Sequence, residues 1–196
     1  MKILFCLVTI FISSFIAAEE ILLMPKNILD VRTGNLIKAN IYIKDGIIIK
    51  IYKDVPSNKN FKKIELKDIT LLPGLMDAHV HLIGNNKLNG YKSMSESTQL
   101  ATLYGAKNAK DTLLAGFTTV RNVGAGEFAD VALRDAINRN IVMGPTMIVS
   151  GPTLSITGGH GDNNLMPFAH NHSNENHNIV DSPWEARKAV RLNRKF

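Results

Sequence analysis

The chain has 196 residues, 45% of them apolar and 20% charged, which describes a globular protein of one to two domains by length alone. Its 23 Lys and Arg outnumber 17 Asp and Glu to give a net charge of +6, yet the basic residues are scattered apart from a cluster between Arg187 and Lys195. With neither a nucleic-acid-binding motif nor a basic stripe interleaved with aromatics, no nucleic-acid partner is expected.

The first segment reads as an export signal. Lys2 supplies the positive end, Ile3 to Ile16 is an apolar run broken only by Thr9, Ser13 and Ser14, and Ala17-Ala18 offers small residues for cleavage. The run is shorter than the roughly 20 residues a spanning helix needs, so residues 1–18 are expected to be a signal peptide. That implies a periplasmic or extracellular location and no stable membrane association after cleavage. The single cysteine, Cys6, would leave with the signal. A mature chain without thiols has no disulfide framework, and any metal must be held by His, Asp, Glu or a modified Lys.

Residues 19–68 show hairpin grammar. Short apolar runs, Ile28 to Val31, Ala39 to Ile43 and Ile47 to Ile51, alternate with Thr33-Gly34-Asn35 and Lys44-Asp45-Gly46. Asp45-Gly46 between two β-branched runs supplies the positive φ angles of a two-residue turn. Pro56 to Lys63 reads as a loop, and Lys63 to Leu66 as a short strand. The expected product is a small β-sandwich-like domain without a catalytic role.

From Ile69 the pattern becomes strand, helix, strand, helix. Leu75 to Leu82 is a strand introduced by Pro73-Gly74, Ser95 to Ala115 a helix, and Thr118 to Val123 a β-branched strand. Phe128 to Asn138 is a second helix, Thr146 to Ser150 a third strand, and Pro183 to Arg194 a third helix with Asp181 or Ser182 as N-cap. Such alternation implies parallel pairing. Residues 69–196 therefore read as α/β, about the first three β/α units of an incomplete TIM-type (β/α)8 barrel, since three units cannot close a barrel of eight.

Chemistry is concentrated in Asp77-Ala78-His79-Val80-His81. Residues two apart on a strand share a face, so His79 and His81 can chelate one divalent ion. Neutral imidazoles suit zinc and its neighbours, and two of them provide half of a tetrahedral shell. The spacing is also common by chance, and only its context makes it informative.

That context is Leu71-Leu72-Pro73-Gly74-Leu75-Met76-Asp77-Ala78-His79-Val80-His81-Leu82, which resembles the opening barrel strand of the amidohydrolase superfamily. The segments 105–121, 130–137 and 150–162, the last containing Thr157-Gly158-Gly159-His160-Gly161-Asp162, resemble the subgroup of imidazolonepropionase-related enzymes and Xaa-Pro dipeptidases. The resemblance runs from about residue 21 to 190. It implies His79 and His81 as the first metal ligands, one or two divalent ions, most simply Zn2+, and hydrolysis of a C–N bond in a small amide or peptide substrate by metal-activated water. It also implies further ligands on later strands: a lysine on the fourth, histidines on the fifth and sixth, and an aspartate on the eighth. None of these can be placed in these residues, so the chain is expected to be the N-terminal part of such an enzyme.

Other polar residues carry two readings each. Asp77 is either a carboxylate that orients a ligand imidazole or a plain strand-end group. His160, in the loop after the third strand, either contacts substrate or bonds nearby backbone. Arg121 and Asn122 close the second strand at the end where barrel active sites form, and in the family that the chain resembles aspartate often stands where Asn122 does, so a charge role at this position does not carry over. His170, His172 and His177 lie among Asn171, Asn174, Asn176 and Asn178 and read as a solvated loop rather than a second metal site. Three functional classes stay open: a metal hydrolase, a catalytically silent relative of one, and a small metal-binding or interaction protein. An open sheet edge would also favour oligomerisation.

Overall fold

The computed structural model describes residues 19–57, 60–88, 90–162 and 178–196. The chain divides into two compact units, one ending at Pro73 and the other beginning at Gly74.

In the first unit, β1 (Glu20–Asp30) pairs antiparallel with β2 (Asn35–Ile37) and β3 (Asn40–Lys44), and β4 (Ile47–Tyr52) extends that side. On its other side β1 pairs parallel with β5 (Lys62–Leu71). The described residues thus form one five-stranded sheet, where a sandwich-like arrangement was expected. The β3–β4 turn is the expected one, with φ of 50° at Asp45 and 77° at Gly46. Strand β1 starts well before Ile28, because Ile21 to Met24 pair with β3 and β5 despite the proline that comes next. Pro25 has no N–H to give the ladder, and the β1–β5 register shifts between Pro25 and Asn27 to accommodate it. Leu22, Tyr42 and Phe61 form one buried cluster, the Tyr42 and Phe61 rings meeting edge-on at 5.0 Å. Ile28, Ala39 and Ile41 form another.

The second unit is built on three parallel strands in the order β6 (Leu75–Val80), β7 (Phe117–Asn122) and β8 (Thr146–Val149). Helix α1 (Thr98–Leu114) links the first two, and α2 (Ala129–Asn138) the second and third. Helix α1 begins later than Ser95 because Gly90–Ser95 forms a 3-10 helix and Ser97 then caps α1, its Oγ accepting the Leu100 N–H at 3.2 Å. After β8 come two very short strands that the alternation did not reveal, β9 (Leu154–Ser155) and β10 (Asn178–Ile179), paired parallel with each other. Helix α3 (Pro183–Lys195) comes last, and of its two candidate caps Ser182 is the one used. Its Oγ accepts the Glu185 N–H at 3.3 Å, while the Glu185 carboxylate accepts the Asp181 N–H at 2.9 Å.

The core of this unit lies between the strands and the first two helices: Leu82, Ala109, Val120, Leu133 and Met147, flanked by Val80, Ile83, Ala106, Phe117, Ile137, Val142 and Val149. Two glycines permit close approach. A Cβ on Gly105 of α1 would lie 2.8 Å from Ile83 Cδ1, and one on Gly74 would lie 2.1 Å from Thr118 Oγ1. The opposite face of the strands is open, and Met76, Thr119, Arg121 and Ile148 border a shallow cavity of about 180 Å³ there. Among the described residues no helix is long and apolar enough to cross a membrane. The signal-peptide segment and the second histidine group, His170, His172 and His177, lie outside the described residues.

Candidate metal centre at the carboxyl ends of the strands

Because β6, β7 and β8 are parallel, their carboxyl ends lie along one edge, and the candidate residues sit on the strands toward that edge (Asp77, His79, Arg121 and Asn122) or in the segments beyond it (His81 and His160). Val80 and Leu82 turn into the helix-covered core. By strand alternation His79 and His81 then project from the other, open face. Both are exposed, and their rings stand 5.4 Å apart between centroids at 74°. The strand itself stops at Val80, so His81 sits one residue beyond it rather than within it. Its backbone is nevertheless fixed. The Val80 carbonyl accepts the Val123 N–H at 3.1 Å, and the Leu82 N–H donates to Asn122 Oδ1 at 2.9 Å. The Leu82 carbonyl accepts Asn108 Nδ2 from α1 at 2.8 Å.

Asp77 bonds backbone: its Oδ1 accepts the His79 N–H at 3.0 Å, which steadies the strand end. Asn122 is fully buried, so its side chain has a structural partner set rather than a place on the open face. Arg121, its neighbour, is exposed on that face, opposite Ile148 of β8.

His160 is exposed in the loop after β9. The glycines beside it serve the loop's own tight turns: a Cβ on Gly159 would lie 2.5 Å from Ser155 Oγ, and one on Gly161 would lie 3.1 Å from Thr153 Cγ2. Thr153 in turn lies against Gly124, where a Cβ would approach Thr153 Oγ1 to 2.0 Å and His81 Cε1 to 3.8 Å. Gly124 thus adjoins the His81 ring with Thr153 packed against it, and neither carries a sequence signal beyond its place after a parallel strand. Among the described residues no third His, Cys, Asp or Glu joins His79 and His81 in a metal-binding group, and His160 does not complete one.

Asp181 anchors the His160 loop to the start of α3. It accepts the Thr157 hydroxyl at 2.6 Å and the Thr157 N–H at 2.8 Å, and these two bonds, the hydroxyl foremost, hold its carboxyl below the usual aspartate range. A depressed carboxyl contributes stability above the ordinary aspartate pKa of about 3.9 and loses it as pH falls through the folded value. The Thr157 amide resonance is therefore expected to titrate with a midpoint under about 3.9, and Asp181→Asn to abolish that transition. A midpoint at or above the ordinary value would show that the tether is not formed.

Residues 70–193 match the amidohydrolase family, and the chain belongs to it. Its members are hydrolases and generally metal-dependent. Ochratoxinase of Aspergillus niger is 36% identical over 100 residues, covering 50% of this chain and 20% of that protein. Allantoinase of Arabidopsis thaliana is 32% identical over 93 residues, covering 44% and 18%. Among solved structures, a Xaa-Pro dipeptidase with methionine bound in its active site is similar with a TM-score of 0.72 and 28% identity, over 90% of this chain and 45% of that one. The A. niger ochratoxinase structure gives a TM-score of 0.70 and 26% identity, over 91% and 45%. The chain thus spans a little under half of these solved relatives.

Proposed function

We propose that the chain supplies the two-histidine part of the metal centre of an exported hydrolase that cleaves C–N bonds in amide or peptide substrates, with a Xaa-Pro dipeptide as the favoured class. The observation that carries this reading is the pair of exposed imidazoles, 5.4 Å apart, at the carboxyl end of a parallel strand whose backbone is fixed on both sides of His81. Neutral imidazole is the donor that zinc prefers, so the residues fit such an ion as half of its shell. His79 and His81 would hold it, and the chemistry available from it is polarisation of a carbonyl and activation of water near neutral pH. The residues of the chain itself contribute position: Asn122 and Asn108 fix the Leu82 peptide, Asp77 fixes His79, and Arg121 places a positive charge on the open face. Similarity to a Xaa-Pro dipeptidase supports the choice of substrate class, and the apolar leader supports export.

The test is hydrolysis of Xaa-Pro dipeptides and N-acyl amino acids at defined Zn2+ by a purified protein that joins these residues to the later barrel strands of the family. Amine release that stops with a chelator and returns with Zn2+ is the expected result, and turnover indifferent to both treatments would reject a metal-dependent reaction. A second reading, a catalytically silent chain that keeps its metal-binding half, is favoured by the absence of a third ligand among the described residues. A catalytic zinc ordinarily has three protein ligands. Stoichiometric zinc without turnover of any of these substrates would select it.

A further inference from the structure

Among the described residues of the second unit, Asn122 and Asp130 are the two buried polar side chains, both at 0% exposure, and they touch each other. Asn122 uses both ends of its amide. Oδ1 accepts the Leu82 N–H at 2.9 Å, while Nδ2 donates to the Gly124 carbonyl at 3.1 Å and to Asp130 Oδ2 at 3.3 Å. Asp130, in the first turn of α2, also receives the N–H groups of Val131 at 2.9 Å, Ser150 at 3.3 Å and Gly151 at 3.1 Å. A buried carboxylate is tolerated when N–H donors surround it, and the positive end of α2 adds to that effect. The pair ties together the segments at the carboxyl ends of all three strands: Leu82 after β6, Gly124 after β7, and Ser150 and Gly151 after β8.

The Leu82 nitrogen belongs to the peptide bond on the carboxyl side of His81, so the amide of Asn122 restrains the ψ angle of His81. The same amide holds Gly124, the backbone segment that borders the His81 ring. We infer that Asn122 is a positioning residue for the His81 imidazole, with Asp130 fixing Asn122 in turn. This rests on the proposed role of His81 as a metal ligand. Aspartate at 122 could not donate to Gly124 or Asp130 and would place a second carboxylate beside Asp130.

The inference is tested with Asn122→Ala and with the exchanged pair Asn122→Asp/Asp130→Asn. The exchanged pair keeps the 122–130 hydrogen bond and the Leu82 acceptor but turns a carboxylate oxygen toward the Gly124 carbonyl and, at position 130, an amide NH2 toward the Ser150 and Gly151 N–H groups. Two readouts are used: the His81 Hε1 resonance without metal, with His160 as internal control, and Co2+ affinity with its visible spectrum. In whichever variant retains native circular dichroism, the His81 resonance is expected to shift or split while His160 is unchanged. Co2+ affinity should fall ten- to a hundredfold, as is typical when a group supporting a metal ligand is lost. A folded variant with the wild-type His81 resonance and wild-type Co2+ affinity would overturn the positioning role. Failure of the wild-type chain to bind Co2+, with His81 still perturbed in the variants, would instead overturn the metal reading and leave the positioning of the ring established.

Discussion

Replacing His79 or His81 with alanine is expected to lower zinc affinity by on the order of a hundredfold or more, with the fold unchanged. The two effects separate because the side chains face away from the core that the same segment builds. Val80 and Leu82 pack among Val120, Leu133 and Met147, whereas both imidazoles are exposed. Loss of an exposed side chain ordinarily changes stability by about 0.5 kcal/mol or less. Loss of one donor from a pair leaves a single imidazole, which has no chelate advantage over a histidine in solution. Competition against a chromophoric chelator measures the first effect and urea denaturation the second. Equal zinc affinity in the wild type and both variants would show that the pair is a surface feature of the strand end and not a ligand set.

Local chemistry made much of this arrangement legible. Asp45-Gly46 fixes its turn because few other residue pairs accept two positive φ angles, and Ser182 with Pro183 and Glu185 marks the start of α3 through groups a few residues apart. The alternation of β-branched and helix-spaced runs gave three strands and three helices in the right order. Features that depend on partners distant in sequence were hidden. Pairing with β3 and β5 carries β1 back to Glu20 through a proline that local reasoning treats as a stop. Strands β9 and β10 are two residues each, too short for any periodicity. The candidate site was half legible for the same reason. His79 and His81 announce themselves by spacing, but Asn122 reads as a surface amide at a strand end until Asp130, Leu82 and Gly124 are brought around it. Asp77 adds a short-range bond that spacing alone did not reveal, its Oδ1 accepting the backbone N–H of His79.

Leu133→Ala is expected to destabilise the second unit by about 3 kcal/mol, the middle of the range for removing a buried leucine side chain. Leu133 is 1% exposed and belongs to the cluster of Leu82, Ala109, Val120 and Met147. Its Cδ2 would lie 3.2 Å from a Cβ built on Gly105, so α1 and α2 meet closely at this point, with little slack for the cavity to collapse. Domains of this size have total stabilities of about 5–15 kcal/mol, so the loss is a large fraction of what holds the unit together. Leu103→Ala is the control: it makes the same chemical change on α1, but Leu103 is 67% exposed and the cost should stay within about 0.5 kcal/mol. Urea denaturation of both variants should lower the midpoint for Leu133→Ala with an unchanged slope and leave Leu103→Ala near the wild type. Comparable costs at the two positions would mean that α2 does not cover the strands. The consequence reaches the site because Leu82 shares the cavity wall with Leu133 while its N–H anchors the backbone behind His81. A Leu133→Ala protein that remains folded should therefore bind Zn2+ more weakly than Leu103→Ala, although neither substitution touches a ligand.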